Sequence, residues 1–243
     1  MKILIFSDVH GNLEAFESVL EDADRSGYEF ALSLGDHVGY GANPNECIQA
    51  FAGLSKYAAI RGNHDAAALD PDERLHFNAD AYAAIVHTAR NLSEESREFL
   101  ENLPLIYDSN RAFMGVHSSP NEPASWGYIL DALEATNAFR CMYRPIAFTG
   151  HSHIPCIIAE EGDVRPLHHG DEIKIDVEHK CIINVGSVGQ PRDRDPKAAY
   201  VFFDDTEKIL TFRRVEYDWN RAALKILNSG LPPSLAKRII LGL

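Results

Sequence analysis

The chain has 243 residues, of which 45% are hydrophobic and 24% charged, an ordinary balance for a globular protein and one that excludes disorder as the organising principle. Its net charge of −13 leaves no basic footprint for a long nucleic acid, and any phosphate-handling site must find positive charge locally, as bound metal ions would supply it. Cys47, Cys141, Cys156 and Cys181 form no C-x-x-C pair and read as reduced, mostly buried thiols; only a handful of apolar residues precede Asp8 and no run approaches the ~20 of a membrane span, so a cytoplasmic location is expected.

Ile3 to Phe6 is a continuous apolar run, the pattern of a short strand buried on both faces, and it leads into Asp8, His10 and Asn12. Asn12 is placed to cap a helix whose Leu13, Phe16, Leu20 and Ala23 share a face and which Gly27 ends. Ala31 to Leu34 leads into "GDHVGYG"; a helix from about Asn45 to Leu54 and a strand from Tyr57 to Ile60 lead into "RGNHD", completing a β-α-β-α-β series. From Ala66 to Asn102 the pattern is helical, with Tyr82, Ile85, Val86, Ala89 and Leu92 on one stripe and Ser93 capping an acidic first turn.

Strands resume at Leu105; Ala112 to Val116 leads into "HSSP", Ile129 to Phe139 reads as a helix, and Ile146 to Thr149 leads into "GHSH". Cys156 to Val215 is nearly all strand, including Cys181 to Val185 and Ala199 to Phe203, and suggests a second sheet packed on the first. Two helices close the chain, "WNRAALKIL" and "SLAKRIILGL". The expected architecture is a single domain over residues 1–243, an α/β fold in four α/β/β/α layers with two mixed sheets flanked by helices. Leu235, Ile239, Ile240 and Leu243 of the last helix dock on their own core or, alternatively, serve an oligomer contact.

Potential ligands recur directly after the apolar runs: Asp8 and His10, then Asp36, then Asn63 and His64, then His117, then His151 and His153. In an open α/β sheet the carboxyl ends of the strands are where ligands bind. A lone histidine after a strand is usually a hydrogen-bonded structural residue, but five such elements together mark a site. Leaving His64 aside, seven oxygen and nitrogen donors without a thiolate suit two borderline divalent ions such as manganese, iron or zinc. His76, His87, His168, His169 and His179 lie outside these segments and read as surface or second-sheet residues.

The ordered series "DVHGN", "GDHVGYG", "RGNHD", "VHSSP" and "GHSH" resembles the calcineurin-like metallophosphoesterases, from Ile3 to about Arg214, and is similar to their small bacterial branch, which also has counterparts of "INVGSVGQPRDRDPKAAY" and "GLPPSLAKRI". The resemblance implies that Asp8, His10 and His153 hold one ion, that Asn63, His117 and His151 hold the other, and that Asp36 bridges them. Two ions roughly 3.5 to 4 Å apart would clamp a phosphoryl group and generate a bridging hydroxide, with manganese favoured and iron, zinc, nickel or cobalt as alternatives. It assigns His64 to the leaving-group side as an acid or electrostatic stabiliser. Asp65 reads equally as a group orienting a histidine or as a structural residue.

Ser/Thr protein phosphatases of this family carry a phosphate-binding arginine in the segment matching "GDHVGYG", where this chain has His37 and Tyr40 instead. The favoured function is therefore hydrolysis of small phosphodiesters or nucleotides; a phosphomonoesterase or protein phosphatase, or a non-catalytic scaffold on the same fold, is the alternative. Arg61 reads as a packing residue, and Arg192, near the close-approach glycines Gly186 and Gly189, as either the substrate-binding cation or the partner of Asp193 or Asp195. Specificity is expected from Ala66 to Asn102 and from the Asn121 to Asp131 loop, which would wall the site.

Overall fold

A computed structural model of the chain describes residues 1–110 and 112–243. The apolar runs that open the chain become β1 (Lys2–Phe6), α1 (Leu13–Ser26), β2 (Phe30–Ser33), α2 (Pro44–Ala52) and β3 (Tyr57–Ala59), with the three strands parallel. Asn12 caps α1, its side chain accepting from the Ala15 N–H at 3.2 Å, and Gly27 ends the helix at φ 70°. The helical stretch resolves into α3 (Asn63–Leu69), a 3-10 turn at Asp72–His76, α4 (Ala79–Asn91) and α5 (Glu94–Glu101).

The rest of the chain is β4 (Ile106–Asp108), β5 (Phe113–Val116), α6 (Ala132–Cys141), β6 (Ile146–Thr149), β7 (Cys156–Ala159), β8 (Val164–Pro166), β9 (Glu172–Lys174), β10 (Cys181–Asn184), β11 (Ala198–Asp204), β12 (Ile209–Val215), α7 (Trp219–Asn228) and α8 (Pro233–Leu241). Among the described residues these strands make two six-stranded mixed sheets, in the orders β3-β2-β1-β11-β12-β9 and β4-β5-β6-β10-β7-β8.

Three expectations need correcting. The late strands do not form a sheet of their own: β11 pairs antiparallel with β1 and brings β12 and β9 into the first sheet, while β10 pairs parallel with β6 and brings in β7 and β8. α6 begins at Ala132 rather than Ile129, because the Asp131 side chain accepts from the Glu134 N–H and caps it there. α4 buries Ala81, Ala84, Ile85 and Thr88, with Tyr82 half exposed at 50%; small residues rather than the larger ones face the core, which rotates the stripe by one position.

The four layers follow from strand alternation. Ile3 and Ile5 point between the sheets with Leu32, Leu34, Val201, Phe203 and Phe212, meeting Phe113, Phe148 and Ile183 of the second sheet. Leu4 and Phe6 point the other way, onto Phe16, Val19 and Phe51 of α1 and α2 and, with Tyr200 and Phe202, into a layer shared with Ile226, Leu235 and Ile239 of α7 and α8. Met114, Val116, Ala147 and Ile182 cover the outer face of the second sheet and pack on Ala135, Ala138 and Phe139 of α6. An unalternated run such as Ile3 to Phe6 is what a strand with apolar layers on both faces requires. No helix among the described residues is long and apolar enough to cross a membrane. All four cysteines are free; Cys47 and Cys181 are buried and Cys156 partly so, whereas Cys141 is exposed at the end of α6.

Candidate metal centre

Six parallel strands, β1, β2 and β3 in one sheet and β5, β6 and β10 in the other, point their carboxyl ends at a common crevice. Asp8 and His10 leave β1, Asp36 leaves β2, Asn63 and His64 start α3 after β3, His117 leaves β5, and His151 and His153 leave β6. Every one of these side chains is buried. Asp8, His10, Asp36, His151 and His153 all have positive φ, between 51° and 64°, in the left-handed region that side chains with a Cβ rarely enter. Such strain is held only where the surroundings over-determine it, and here it turns five side chains toward one point.

Ligand-type atoms lie within 4.8 Å of one another in three groups: Asp8, His10 and His153; His10, Asp36 and His64; and Asp36, His117 and His151. Each carboxylate has one oxygen anchored by a backbone N–H, Asp8 Oδ2 from His151 at 3.0 Å and Asp36 Oδ1 from His64 at 2.8 Å, which leaves the other oxygen facing inward. Asp8 Oδ1 is 3.2 Å from His153 Nε2, and Asp36 Oδ2 is 3.6 Å from His10 Nε2 and 3.3 Å from His117 Nε2. Asn63 Oδ1 sits 3.1 Å from His117 Nε2.

The ring nitrogens decide what this cluster fits. Nδ1 of His10, His117 and His153 faces the carbonyl oxygen of Val38 at 3.1 Å, Leu34 at 2.8 Å and Gln190 at 2.5 Å respectively. A carbonyl only accepts, so each Nδ1 carries a proton and, in a neutral ring, Nε2 presents a bare lone pair. Burial pushes His10 and His153 below the usual histidine range, and their two Nε2 atoms face each other at 3.1 Å. His151 Nε2 and Asp8 Oδ1 are buried with no hydrogen-bond partner. Bare nitrogens and an orphaned carboxylate oxygen, buried and converging, fit divalent cations of the borderline class.

His117 behaves differently. Burial alone would lower it, but the Asp36 and Asp8 carboxylates raise it to about 9, so a proton at Nε2 stands where those carboxylates draw positive charge. Asp8 is held well below the usual carboxylate range although burial opposes this, because His153, His117 and His10 surround it.

His64 lies one residue beyond Asn63, with its ring between Tyr40 at 4.5 Å and Phe77 at 4.7 Å and its Nδ1 without a partner. Burial pushes it down to about 4. Gly39, at φ 132°, makes room for it: a Cβ there would stand 2.6 Å from His64 Nδ1 and 2.8 Å from His10 Nδ1. Asp65 does hold a histidine, but His37 rather than His64, at 3.0 Å; it also accepts from the backbone N–H groups of Asp36, His37, Val38 and Gly62 and so fixes the loop that carries Asp36.

Arg192 comes three residues after Gly189, where a Cβ would collide with the Val9 carbonyl. Its guanidinium donates to Tyr40 Oη at 3.3 Å and Gln190 Oε1 at 3.2 Å, and its Nε has no partner. Of the two expected readings the ion pair is set aside, since Arg214 takes Asp193 and lies 3.8 Å from Asp195. Arg61 points away from the site and donates to the Leu100 and Glu101 carbonyls at the end of α5.

A cleft of about 220 Å³ opens over these groups, walled as expected by the helical insertion (Glu73, His76, Phe77) and by the 121–131 loop (Ser125, Trp126, Tyr128). His76, read from sequence as a surface residue, is exposed and yet stands on this rim. Tyr128 stacks on the His151 ring at 4.0 Å, and Trp126 meets His117 edge-on at 6.1 Å. These two aromatics were not singled out in the sequence; their only signal there is a W-x-Y pair in a segment without periodicity.

A family model described as a calcineurin-like phosphoesterase superfamily domain matches residues 1–208. An uncharacterized protein of Methanocaldococcus jannaschii, MJ0912, is 39% identical over 243 residues, covering 99% of this chain and 98% of that protein. The crystal structure of a metallophosphoesterase from Sphaerobacter thermophilus superposes with a TM-score of 0.90 at 36% identity, over 100% of both chains. A hypothetical protein from Pyrococcus horikoshii, PH1004, shares the fold with a TM-score of 0.80 at 23% identity, over 99% of this chain and 98% of that one.

Proposed function

The chain belongs to the calcineurin-like phosphoesterase superfamily, and from that premise we propose that it hydrolyses small phosphodiesters or nucleotides at a pair of divalent cations, with manganese favoured. In this reading Asp8, His10 and His153 hold one ion, Asn63, His117 and His151 hold the other, and Asp36 serves both. The observation that carries it is the pair of Nε2 atoms of His10 and His153, 3.1 Å apart beside the Asp8 carboxylate, an arrangement that a shared cation would satisfy. A role for Asp36 toward both ions is supported by its Oδ2, which lies within 3.6 Å of a ring nitrogen from each set. When bound, two such ions supply Lewis acidity to the phosphoryl oxygens and acidify a water for attack.

The chain's own residues perform the remaining tasks. The backbone N–H groups of His151 and His64 hold the two carboxylates in orientation before substrate arrives. His64 faces the leaving-group oxygen and stabilises or protonates it. Arg192, with no acid partner, pairs with a non-bridging phosphoryl oxygen. The acidic surface and the small cleft support a small substrate over a long nucleic acid. A cytoplasmic location belongs to the same proposal, supported by four free cysteines.

One observation favours a phosphomonoester instead: the unneutralised Arg192 guanidinium suits a dianion. Protein stripped with chelator, checked by elemental analysis and then reloaded with manganese is the test, assayed on a nitrophenyl diester and the matching monoester. Activity absent when stripped, restored by metal and higher on the diester is expected, with Asp36→Asn losing both ions together. Full activity without metal would overturn the metal-dependent reading; a clear preference for the monoester would replace the diester by its alternative.

A further inference from the structure

The cleft has two dissimilar ends. At one, Tyr40 and Phe77 flank His64; at the other, Tyr128 stacks on His151 and Trp126 meets His117 edge-on. If His64 serves the leaving group, the Trp126 end is free to take the second ester group of a diester. That end is bridged: Trp126 Nε1 donates to Glu73 Oε2 at 3.0 Å. Glu73 comes from the 3-10 turn after α3 and Trp126 from the loop after β5, so the bond joins the insertion of the first sheet to a loop of the second across the cleft that both line.

The loop bringing Trp126 to this bond is bent for it. Glu122 and Trp126, on either side of the Pro123–Ser125 turn, have φ of 51° and 55°, and the turn is pinned by the Ser125 N–H on the Glu122 carbonyl at 2.8 Å. Two non-glycine residues in the left-handed region within five positions indicate a conformation fixed by its contacts rather than by local preference.

We infer that the Trp126–Glu73 hydrogen bond is a specificity determinant that sets the width of the cleft and restricts the substrate to phosphodiesters whose non-leaving ester group is small. This rests on the phosphodiesterase reading above. Two diesters with the same nitrophenolate leaving group and the same charge test it: methyl 4-nitrophenyl phosphate and thymidine 5′-(4-nitrophenyl phosphate).

Wild-type protein should prefer the methyl ester. Trp126→Phe, which keeps an aromatic ring but loses the N–H, and Glu73→Ala should each raise kcat/KM for the thymidine ester relative to the methyl ester by about fivefold, mainly through KM, the scale set by one lost hydrogen bond. Glu73→Gln, whose amide oxygen still accepts from the indole, should keep the wild-type ratio. A merely structural role would lower both substrates together. An unchanged ratio in both severed variants, or Glu73→Gln behaving as Glu73→Ala, overturns the inference while leaving the phosphodiesterase reading intact. Failure of metal-loaded wild-type protein to turn over either ester removes that reading and the inference with it.

Discussion

The space between the sheets and the crevice at their ends are built from the same strands and are equally closed to water, yet their burial has opposite chemistry. Ile3 and Ile5 are fully buried among apolar partners, and three residues later Asp8 is just as inaccessible. What differs is who satisfies the polar atoms. Between the sheets the side chains are apolar as far as Ser7, whose hydroxyl also lacks a partner; in the crevice, Asp8 Oδ1, His64 Nδ1 and His151 Nε2, all atoms able to bind a cation, have no partner. Of ten non-glycine residues with positive φ among those described, five are candidate ligands and none lies within a strand facing the other sheet. Burial therefore does not mark the site; unsatisfied burial together with strained backbone does.

That contrast fails if the two regions are not separable. Phe203, wholly buried between the sheets against Phe113 and Phe148, should lose about 3 to 5 kcal/mol of stability on change to alanine, read from urea melts, with kcat retained where the variant is folded. A large fall in kcat of folded Phe203→Ala would mean that the core tunes the site directly. The reverse test is His64→Ala, which should keep its metal content and lose about 10²-fold or more in turnover with a poor leaving group, less with a good one. Equal turnover for wild type and variant with the poor leaving group would make His64 structural.

The candidate ligands were legible in the sequence because each comes within one to four residues of an apolar run, and the carboxyl ends of parallel strands converge whatever the rest of the chain does. Sheet membership of the late strands was not. β11 joins β1 across nearly the whole chain, and β10 joins β6, and nothing in two similar apolar runs says which neighbour each will take. The phase of α4 was missed because alanine and threonine, not tyrosine, line its buried face. Trp126, Tyr128 and Glu73 act from irregular segments, where no periodicity announces an orientation, and the strained φ values are invisible until the backbone is known.

Asp65 is the counterexample within the crevice, a buried polar group whose partners are all present. It accepts from four backbone N–H groups and the His37 ring, and Asp65→Asn would turn an N–H₂ toward those donors, costing about 2 kcal/mol. Burial by itself would raise this carboxyl, but His37 and the Gly62 N–H hold it below its ordinary value. A depressed folded-state pKa gives stability that is present above the unfolded carboxyl value, about 3.9, and lost as pH falls through the folded one. The gap between wild type and Asp65→Asn in metal-free urea melts should therefore be full at neutral pH and close in acid. A gap that persisted unchanged well below that range would remove the charge from the explanation.

The smallest effect concerns Arg192, at the border of the two kinds of burial. Its guanidinium is neither neutralised, since Arg214 occupies the neighbouring Asp193, nor fully hydrogen-bonded, since Nε is free. It stands over the Tyr40 ring, 5.8 Å from its centroid, which holds the charge at the cleft without cancelling it. A diester monoanion carries its charge on two non-bridging oxygens, and a guanidinium that pairs with them in the ground state as well as during reaction contributes uniform binding. Arg192→Ala should accordingly raise KM about tenfold and change kcat less, with the larger loss on a monoester dianion than on the matching diester. A fall in kcat exceeding the rise in KM would show instead that Arg192 meets charge developing only in the transition state, and would move it from holding the substrate to stabilising its reaction.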